Sequence, residues 1–145
     1  MNIRAFNQII QDFATKDVPA LVVAVQRRIV LDALPRLVDR TPVDTGNARG
    51  NWQVAIGERP TGTIHPPLIP SLGYPRYPRP SLSLIGQQTV DEGSRFIRDN
   101  LVTFCVCHLT NNVHYILELE DGKSRQTQPH QILALTFDEI VAAYA

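Results

Sequence analysis

The chain has 145 residues, of which 43% are hydrophobic and 19% charged, and its 14 lysines and arginines are balanced by 14 aspartates and glutamates. This length predicts one compact domain with its own core, and the zero net charge gives no global field that would favour nucleic acid or an anionic membrane. No apolar run approaches the ~20 residues that span a bilayer, and the N-terminus lacks the apolar segment of a signal peptide, so we expect the protein to be made in the cytosol and to stay there.

The N-terminal part of the chain has the apolar spacing of helices. Ile3–Ala14 repeats apolar side chains every three or four positions, which is typical of an amphipathic helix. Asp17 and Pro19 then predict a break, because aspartate caps helices and proline is tolerated in a first turn. A second helix is predicted from about residue 18 to residue 39, and Pro35 should kink it or separate its last turn.

A polar joint, residues 41–52, follows the second helix. Pro42 cannot continue a helix. Asp44 and Thr45 can bond their own backbone in a turn, and Gly46 supplies a left-handed conformation at no steric cost. The order of these residues predicts where a helix stops and a sheet begins.

A strand and a long proline-rich segment come next. Asn51–Gly57 places Trp52, Val54 and Ile56 on one face, which predicts a half-buried strand. A tryptophan of this size needs either a core or a partner surface. Glu58–Pro80, which we call the proline-rich arm, holds most of the eleven prolines of the chain and is predicted to be an extended arm or a long loop.

The arm contains a tandem three-residue repeat, Tyr-Pro-Arg-Tyr-Pro-Arg-Pro. Polyproline II has three residues per turn, so Tyr74 and Tyr77 would form one ridge and Arg76 and Arg79 another. Tyrosine and arginine are frequent interface anchors. A protein-contact arm and an exposed linker both fit this pattern, whereas two clustered arginines in a neutral chain favour nucleic acid much less.

The chain after the arm returns to helical spacing and then to an apolar run. Leu82–Ile97 is predicted to be a helix, although Gly86 and Gly93 weaken it by ~1 kcal/mol each relative to alanine. Leu101–Leu109 is a nearly continuous apolar and β-branched run, which predicts a central strand.

Two further helices complete the prediction. Val113–Leu119 has the spacing of a short helix, and Gln131–Tyr144 that of an amphipathic one with Pro129 just ahead of it. The sequence therefore predicts a single α+β domain, residues 1–145, in which helices pack on a small antiparallel sheet. The sheet would include 51–57 and 101–109, with the proline-rich arm between them.

Cysteines and histidines near the second predicted strand are candidates for a metal site. Cys105 and Cys107 would share a face of a strand, and small buried thiols are the favoured interpretation. A metal site that recruits His108 or His114 is the alternative, although the spacing matches no structural zinc pattern. His114 and Glu118 could share a helical face, which most often indicates a surface contact.

Acidic residues are a second set of candidates for chemistry. The triplet at 44–46 is Asp-Thr-Gly, as in the active site of aspartic proteases. Here it ends a helix and lacks the flanking apolar strands that would bury a catalytic pair of aspartates. Glu118, Glu120 and Asp121 fit a solvated acidic helix end. The alternative is that Glu120 fixes a turn or pairs with an arginine of a neighbouring subunit.

Two stretches together resemble one protein family. The first, 41–52, has the order Pro42, Asp44, Thr45, Gly46 and Trp52. The second, 109–136, has an asparagine, then a tyrosine, then Glu-x-Gly-x-Ser and a Gln/Pro segment before the last helix: Asn111, Tyr115, Glu120, Gly122, Ser124 and Pro129. In this order they resemble the tail-completion and head–tail joining proteins of tailed bacteriophages, of the minor tail protein Z type.

The resemblance implies a structural virion protein without catalytic residues, cofactor or metal. Such a protein would form a ring, sixfold in expectation, around the DNA channel at the head-proximal end of the tail and would complete the tail for joining to the head. Its partners would be copies of itself and neighbouring neck, tail-terminator or tail-tube proteins, with DNA only as channel contents and no membrane. Two alternatives stay open: a small metal-dependent hydrolase using His108, His114 and a carboxylate, and a cytosolic adaptor that binds peptides through the arm.

Overall fold

A computed structural model describes residues 2–42, 46–64, 79–122 and 129–145, with side chains from residue 84 onward in the third range. Six of the predicted functional residues lie outside the described residues: Asp44, Thr45, Tyr74, Arg76, Tyr77 and Ser124. Most of the proline-rich arm lies outside them as well.

The described residues form α-helices, one π-helical turn and two strands. Their order is α1 (Ile3–Asp12), the π turn (Phe13–Asp17), α2 (Val18–Arg40), α3 (Asn47–Gly50), β1 (Trp52–Ile56), α4 (Arg79–Asn100), β2 (Cys107–Asn111), α5 (Ile116–Asp121) and α6 (Ile132–Tyr144). Helices packed on a small antiparallel sheet confirm the predicted α+β class.

The predicted break between the first two helices is wrong. Asp17 has right-handed helical angles and makes no capping hydrogen bond through its side chain, and the Val18 N–H donates to the Phe13 carbonyl, five residues earlier. The wider π turn accommodates Pro19, whose ring would otherwise clash with the carbonyl four residues before it. The helical run is therefore continuous from α1 into α2. It also continues past Pro35 to Arg40, so this proline does not separate the last turn.

The sheet is shorter than predicted, and its second strand begins later. β1 and β2 pair antiparallel from Trp52 opposite Asn111 to Ile56 opposite Cys107. Of the predicted strand 101–109, only residues 107–109 belong to β2. Leu101 instead follows the end of α4 and is buried, and Phe104 has φ +57°. A left-handed residue interrupts an extended strand, which makes 101–106 a loop.

The core lies around the C-terminal half of α2. One cluster joins α2 to β1 and α6 through Leu34, Leu37, Val38, Trp52 and Ile132. A second cluster joins α2 to the end of α4 through Val30, Ile97 and Leu101. The sheet and α4 thus cover one part of α2, while α6 covers another.

Boundaries of the later helices also differ from the prediction. α4 begins at Arg79 rather than Leu82, so the backbone of Arg79 and Pro80 belongs to a helix and not to the proline-rich arm. α5 spans Ile116–Asp121, three residues after the predicted start. α6 is found within one residue of its predicted start, at Ile132.

Candidate functional site

The joint between α2 and β1 is built on a buried chain of hydrogen bonds. The Trp52 indole N–H donates to the Thr41 hydroxyl oxygen at 2.7 Å, and that hydroxyl donates to the Leu37 carbonyl at 2.6 Å. Trp52 is 4% exposed and Thr41 is fully buried. The core, rather than a partner surface, therefore receives the tryptophan, and the hydrogen bond satisfies its polar edge.

Gly46 gives the joint its turn. Its φ of +77° is left-handed, as its place in the sequence predicted, and it immediately precedes α3. The Gly50 N–H donates to the Gly46 carbonyl at 2.9 Å. Pro42 stands directly after Thr41, the C-terminal cap of α2, so the predicted helix end is also confirmed.

Arg49, on α3, caps the C-terminal end of α2 by donating to its last carbonyls. Its Nε and Nη2 donate to the Thr41 carbonyl at 3.1 and 2.8 Å, and Nη2 also approaches the Asp39 carbonyl at 3.3 Å. Burial lowers the pKa of the Arg49 guanidinium from its ordinary value. Sequence reasoning missed this role, although a basic side chain near helix-terminal carbonyls is a recognised signal.

The two stretches that carry the family resemblance contact each other at α3. The Asn111 amide at the end of β2 donates to the Ala48 carbonyl at 2.7 Å. Farther along, the Asn47 amide donates to the Tyr115 hydroxyl at 3.2 Å. The Asn51 amide donates to the backbone and side-chain oxygens of Asn47 at 2.7 and 2.9 Å. Residues separated by more than sixty positions are thereby joined in one polar cluster, which we call the joint cluster: Asn47, Asn51, Asn111 and Tyr115.

The first residues of the proline-rich arm attach to the same cluster. The Ile64 N–H donates to the Asn51 carboxamide oxygen at 2.6 Å. Asn112 donates to the carbonyls of Pro60 and Gly62 at 2.8 and 2.9 Å. Residues 60–64 of the predicted arm are therefore hydrogen-bonded to the domain at the end of the sheet.

Glu120 has a structural role at the start of α6. Its carboxylate oxygens accept from the Leu133 N–H at 2.9 Å and the Ala134 N–H at 3.1 Å. A carboxylate that accepts these bonds caps the helix and complements its dipole. Glu120 thus fixes the start of α6, while Glu118 and Asp121 are exposed. Its pairing with an arginine of a neighbouring subunit stays a prediction.

Gly122 and Pro129 complete that turn. Gly122 ends α5 with φ +67°, and a Cβ there would lie 2.4 Å from the Pro129 backbone nitrogen. Only glycine allows both the conformation and the close approach. These two family-motif residues therefore lie close together, near the helix start that Glu120 caps.

The residues suggested for metal chemistry make other contacts. The His108 ring is hydrogen-bonded to the Gly57 carbonyl, 3.0 Å from Nε2, and His114 packs edge-on against Tyr115 with ring centroids 5.0 Å apart. Cys105 and Cys107 are partly rather than fully buried, and burial raises the pKa of the Cys107 thiol to about 11. Within the described ranges, no three His, Cys, Asp or Glu side chains gather as a metal site would require.

A groove of about 320 Å³ runs between α4 and β1. Its described walls include Trp52, Val54, Ile85 and Phe96, and Glu92 is the one titratable residue among them.

A second candidate surface lies at the start of the chain. No residue of α1 or the π turn is buried, and large apolar side chains are half-exposed or more: Ile3, Phe6, Ile9, Ile10 and Phe13. We call residues 3–25 the N-terminal rod. The sequence predicted an apolar stripe here but not that the stripe faces solvent.

None of the helices in the part of the chain that is described has the length and apolar character needed to cross a membrane. Comparison with protein-family models, with curated proteins and with solved structures gives no match to this chain.

Proposed function

We propose that this chain is a structural virion protein at the head-proximal end of a bacteriophage tail. Copies would form a ring, sixfold in expectation, around the DNA channel and would complete the tail so that it joins the head. The observation that carries the proposal is the joint cluster. It links the two stretches, 41–52 and 109–136, whose combined order of residues resembles the tail-completion family.

The hydrogen bonds of the joint and of the start of α6 support a scaffold rather than a catalyst. Asn111 and Arg49 use their side chains on backbone carbonyls, and Glu120 uses its carboxylate on backbone N–H groups. Groups committed to the backbone fix the relative positions of helices and sheet. Such rigid positioning suits a structural protein that assembles with other subunits.

The surface supports assembly with other proteins. Contiguous exposed apolar side chains on a soluble domain mark interaction sites, and the N-terminal rod carries such a row. Net charge is zero, so copies brought together in a ring do not repel one another through a global field. The partners would be further copies and neighbouring neck, tail-terminator or tail-tube proteins, assembled in the host cytoplasm, with DNA only as channel contents and no membrane or cofactor.

Imaging of virus particles that carry a small C-terminal epitope tag on this protein tests the proposal. We expect label and density as a closed ring at the head-facing end of the tail. Loss of the gene should leave DNA-filled heads and unattached tails, and the wild-type gene supplied in trans should restore joined particles. Label elsewhere in the particle, or joined particles without the gene, would contradict the proposal.

A further inference from the structure

The N-terminal rod carries an apolar row with the spacing of a coiled coil. Up to the first residue of the π turn, Ile3, Phe6, Ile10 and Phe13 follow steps of three, four and three residues. After it, Val18, Leu21 and Val25 follow steps of three and four. Alternating steps of three and four are the a/d pattern by which helices pack on one another.

The π turn joins these two rows into one. Phe13 and Val18 are five residues apart, a step that would rotate Val18 by about 140° away from Phe13 in a regular α-helix. In the structure the Val18 N–H donates to the Phe13 carbonyl, and a π turn aligns residues five apart as an α-turn aligns residues four apart. The apolar row therefore runs without a break from Ile3 to Val25, over about 33 Å, and we call it the seam.

Six of the seven seam side chains are exposed, and the seventh, Val18, is partly buried. Ile3 is 78% exposed, Phe13 55% and Leu21 65%. If each of the six exposed side chains offers roughly 100 Å², the seam presents roughly 600 Å² per copy, about three quarters of the ~800 Å² per partner of a standard stable interface. So large an exposed apolar row requires an occupant.

The charges along the rod favour a second copy over a membrane surface. The polar positions carry Arg4 and Lys16 against Asp12 and Asp17, so the rod is neutral and lacks the basic face by which interfacial helices bind anionic lipid. The positions of the seam itself carry no charge. A second rod can therefore pack on it without like-charge repulsion.

We propose that the seam binds the seam of a second copy of this chain, and that the π turn serves to keep the two halves of the seam on one face. The proposal rests on the self-association in the proposed function and names a surface by which two copies would pair; such a two-fold contact is separate from the head-to-tail contacts that close a ring. It is tested on purified full-length protein, so its failure is distinguishable from failure of the tail assignment, which imaging of particles tests.

The first test compares two aspartates placed on adjacent positions of α1. Ile10→Asp puts a charge in the seam, whereas Gln11→Asp puts the same charge on an exposed position outside it. Sedimentation velocity of the wild type should show concentration-dependent self-association. Ile10→Asp should weaken it by about tenfold or more, and Gln11→Asp should leave it nearly unchanged. Equal effects, or a monomeric wild type at all concentrations, would overturn the proposal.

The second test changes the register of the seam without removing an apolar side chain. One alanine inserted between Ala14 and Thr15 rotates Ile3–Phe13 by about 100° relative to Val18–Val25. Association should weaken by about tenfold, while circular dichroism shows that helix content is kept. Thr15→Ala, which changes a side chain of the same turn without changing its length, should associate like the wild type. Unchanged association of the insertion variant would show that the halves act separately and would overturn the proposal.

Flotation with phosphatidylserine-containing vesicles tests whether the seam binds a membrane surface instead of a second copy. A copy that pairs through the seam should stay with the soluble fraction, and Ile10→Asp should not alter that result. Binding to vesicles that Ile10→Asp abolishes would assign the seam to lipid and overturn pairing between copies.

Discussion

A single hydroxyl group, that of Thr41, connects the end of α2 to the core tryptophan. It donates to the Leu37 carbonyl and accepts from the Trp52 indole, and both residues are buried. Thr89 provides a natural comparison, because its hydroxyl donates to the Ile85 carbonyl at 2.8 Å and it is nearly as buried. In each threonine the hydroxyl donates to the carbonyl four residues earlier. Only Thr41 accepts in addition a hydrogen bond from the indole.

Thr41→Val should therefore destabilise the protein by about 1–3 kcal/mol, because it leaves the buried Trp52 N–H without its acceptor. Thr89→Val removes a hydroxyl of the same local geometry and should change the free energy of unfolding by less than about 1 kcal/mol. Urea denaturation of both variants measures the difference. Equal losses would mean that the indole bond contributes nothing specific.

The left-handed conformation of Gly46 predicts a similar loss of stability when the glycine is replaced. A β-branched side chain at φ +77° is strained, so Gly46→Val should cost roughly 1–3 kcal/mol. Gly62→Val, at a glycine with open space around its Cβ position, should cost much less. Thermal unfolding of the pair gives the comparison, and a Gly46→Val variant as stable as Gly62→Val would contradict the role assigned to the turn.

Local chemistry explains why Gly46 was predictable and Thr41 was not. A glycine after Asp-Thr announces a positive φ through turn chemistry contained in neighbouring residues. The Thr41–Trp52 hydrogen bond joins residues eleven apart and exists only because β1 packs back on α2. Contacts of that kind depend on tertiary packing, which no single stretch of sequence specifies.

Among the elements, α4 approaches α2 and β1 closely at Gly93. A Cβ there would lie 2.5 Å from Leu34 Cδ2 and 2.9 Å from Val54 Cγ2. Sequence reasoning treated this glycine as a weakness of the helix, whereas in the structure it allows the helix to pack. At Gly86 the nearest atom, 3.0 Å from such a Cβ, belongs to the long side chain of Arg49.

Gly93→Ala should therefore lower the free energy of unfolding by about 1–3 kcal/mol, because overpacking outweighs the helix propensity that alanine adds. Gly86→Ala should cost less than Gly93→Ala, since its nearest contacts, Arg49 Cδ at 3.0 Å and Val38 Cγ1 at 3.2 Å, are looser than those at Gly93 and alanine adds helix propensity. Chemical denaturation of the two variants decides the point. Stabilisation by Gly93→Ala would show that α4 packs less closely than described.

Glu139 links α6 to α2 through two arginines. Its carboxylate accepts from Arg36 and Arg40, and Arg40 also donates to Thr136 at 2.8 Å. The hydrogen bond from Arg36, joined by that from Arg40, lowers the pKa of Glu139 below its ordinary value of 4.5. A carboxyl group with a depressed folded-state pKa stabilises the protein above its unfolded-state pKa and loses that contribution as pH falls through the folded-state value.

Glu139→Gln should therefore lower the melting temperature above about pH 4.5 and lose this effect at lower pH. The loss should be modest and should shrink with added salt, since all three side chains are partly exposed and exposed pairs are screened. Asp138→Asn, at an exposed neighbour on the same helix, is the control. A difference between wild type and Glu139→Gln that is independent of pH from 3 to 7 would contradict the linkage.

Element type was more predictable than element boundary, for reasons visible at two places. The apolar run 101–109 has strand composition, yet Leu101 is buried as the continuation of α4 and Phe104 interrupts extension. Burial of a loop residue and pairing of a strand residue leave the same apolar signature. At Asp17, capping chemistry was present in the sequence, but a π turn competed with the cap and kept the helix continuous.

At the scale of the whole molecule, the N-terminal rod and the body of the protein have different relations to solvent. The core begins near Val30, while α1 and the π turn bury no residue. An amphipathic stripe in a sequence predicts an apolar helix face that packs against something. It does not tell whether that face packs on the same chain or on another molecule. For this reason the stripe was predictable from the sequence and its exposure was not. The contact between the two resemblance-bearing stretches likewise required the folded chain.

The separation of rod and body predicts the behaviour of a variant that lacks residues 2–17. Its helix would begin at Val18 and Pro19, where proline suits a first turn, and every buried residue of the described chain would remain. The melting temperature at low protein concentration should therefore stay within about 5 °C of the wild type, a shift equivalent to ~1 kcal/mol for a domain of this size. Self-association should be lost in the same variant, because most of the seam is gone. A cooperative unfolding transition together with a monomeric sedimentation profile would show that the rod contributes to assembly rather than to stability. A large fall in melting temperature at a concentration where the wild type is also monomeric would show instead that the rod packs on its own body.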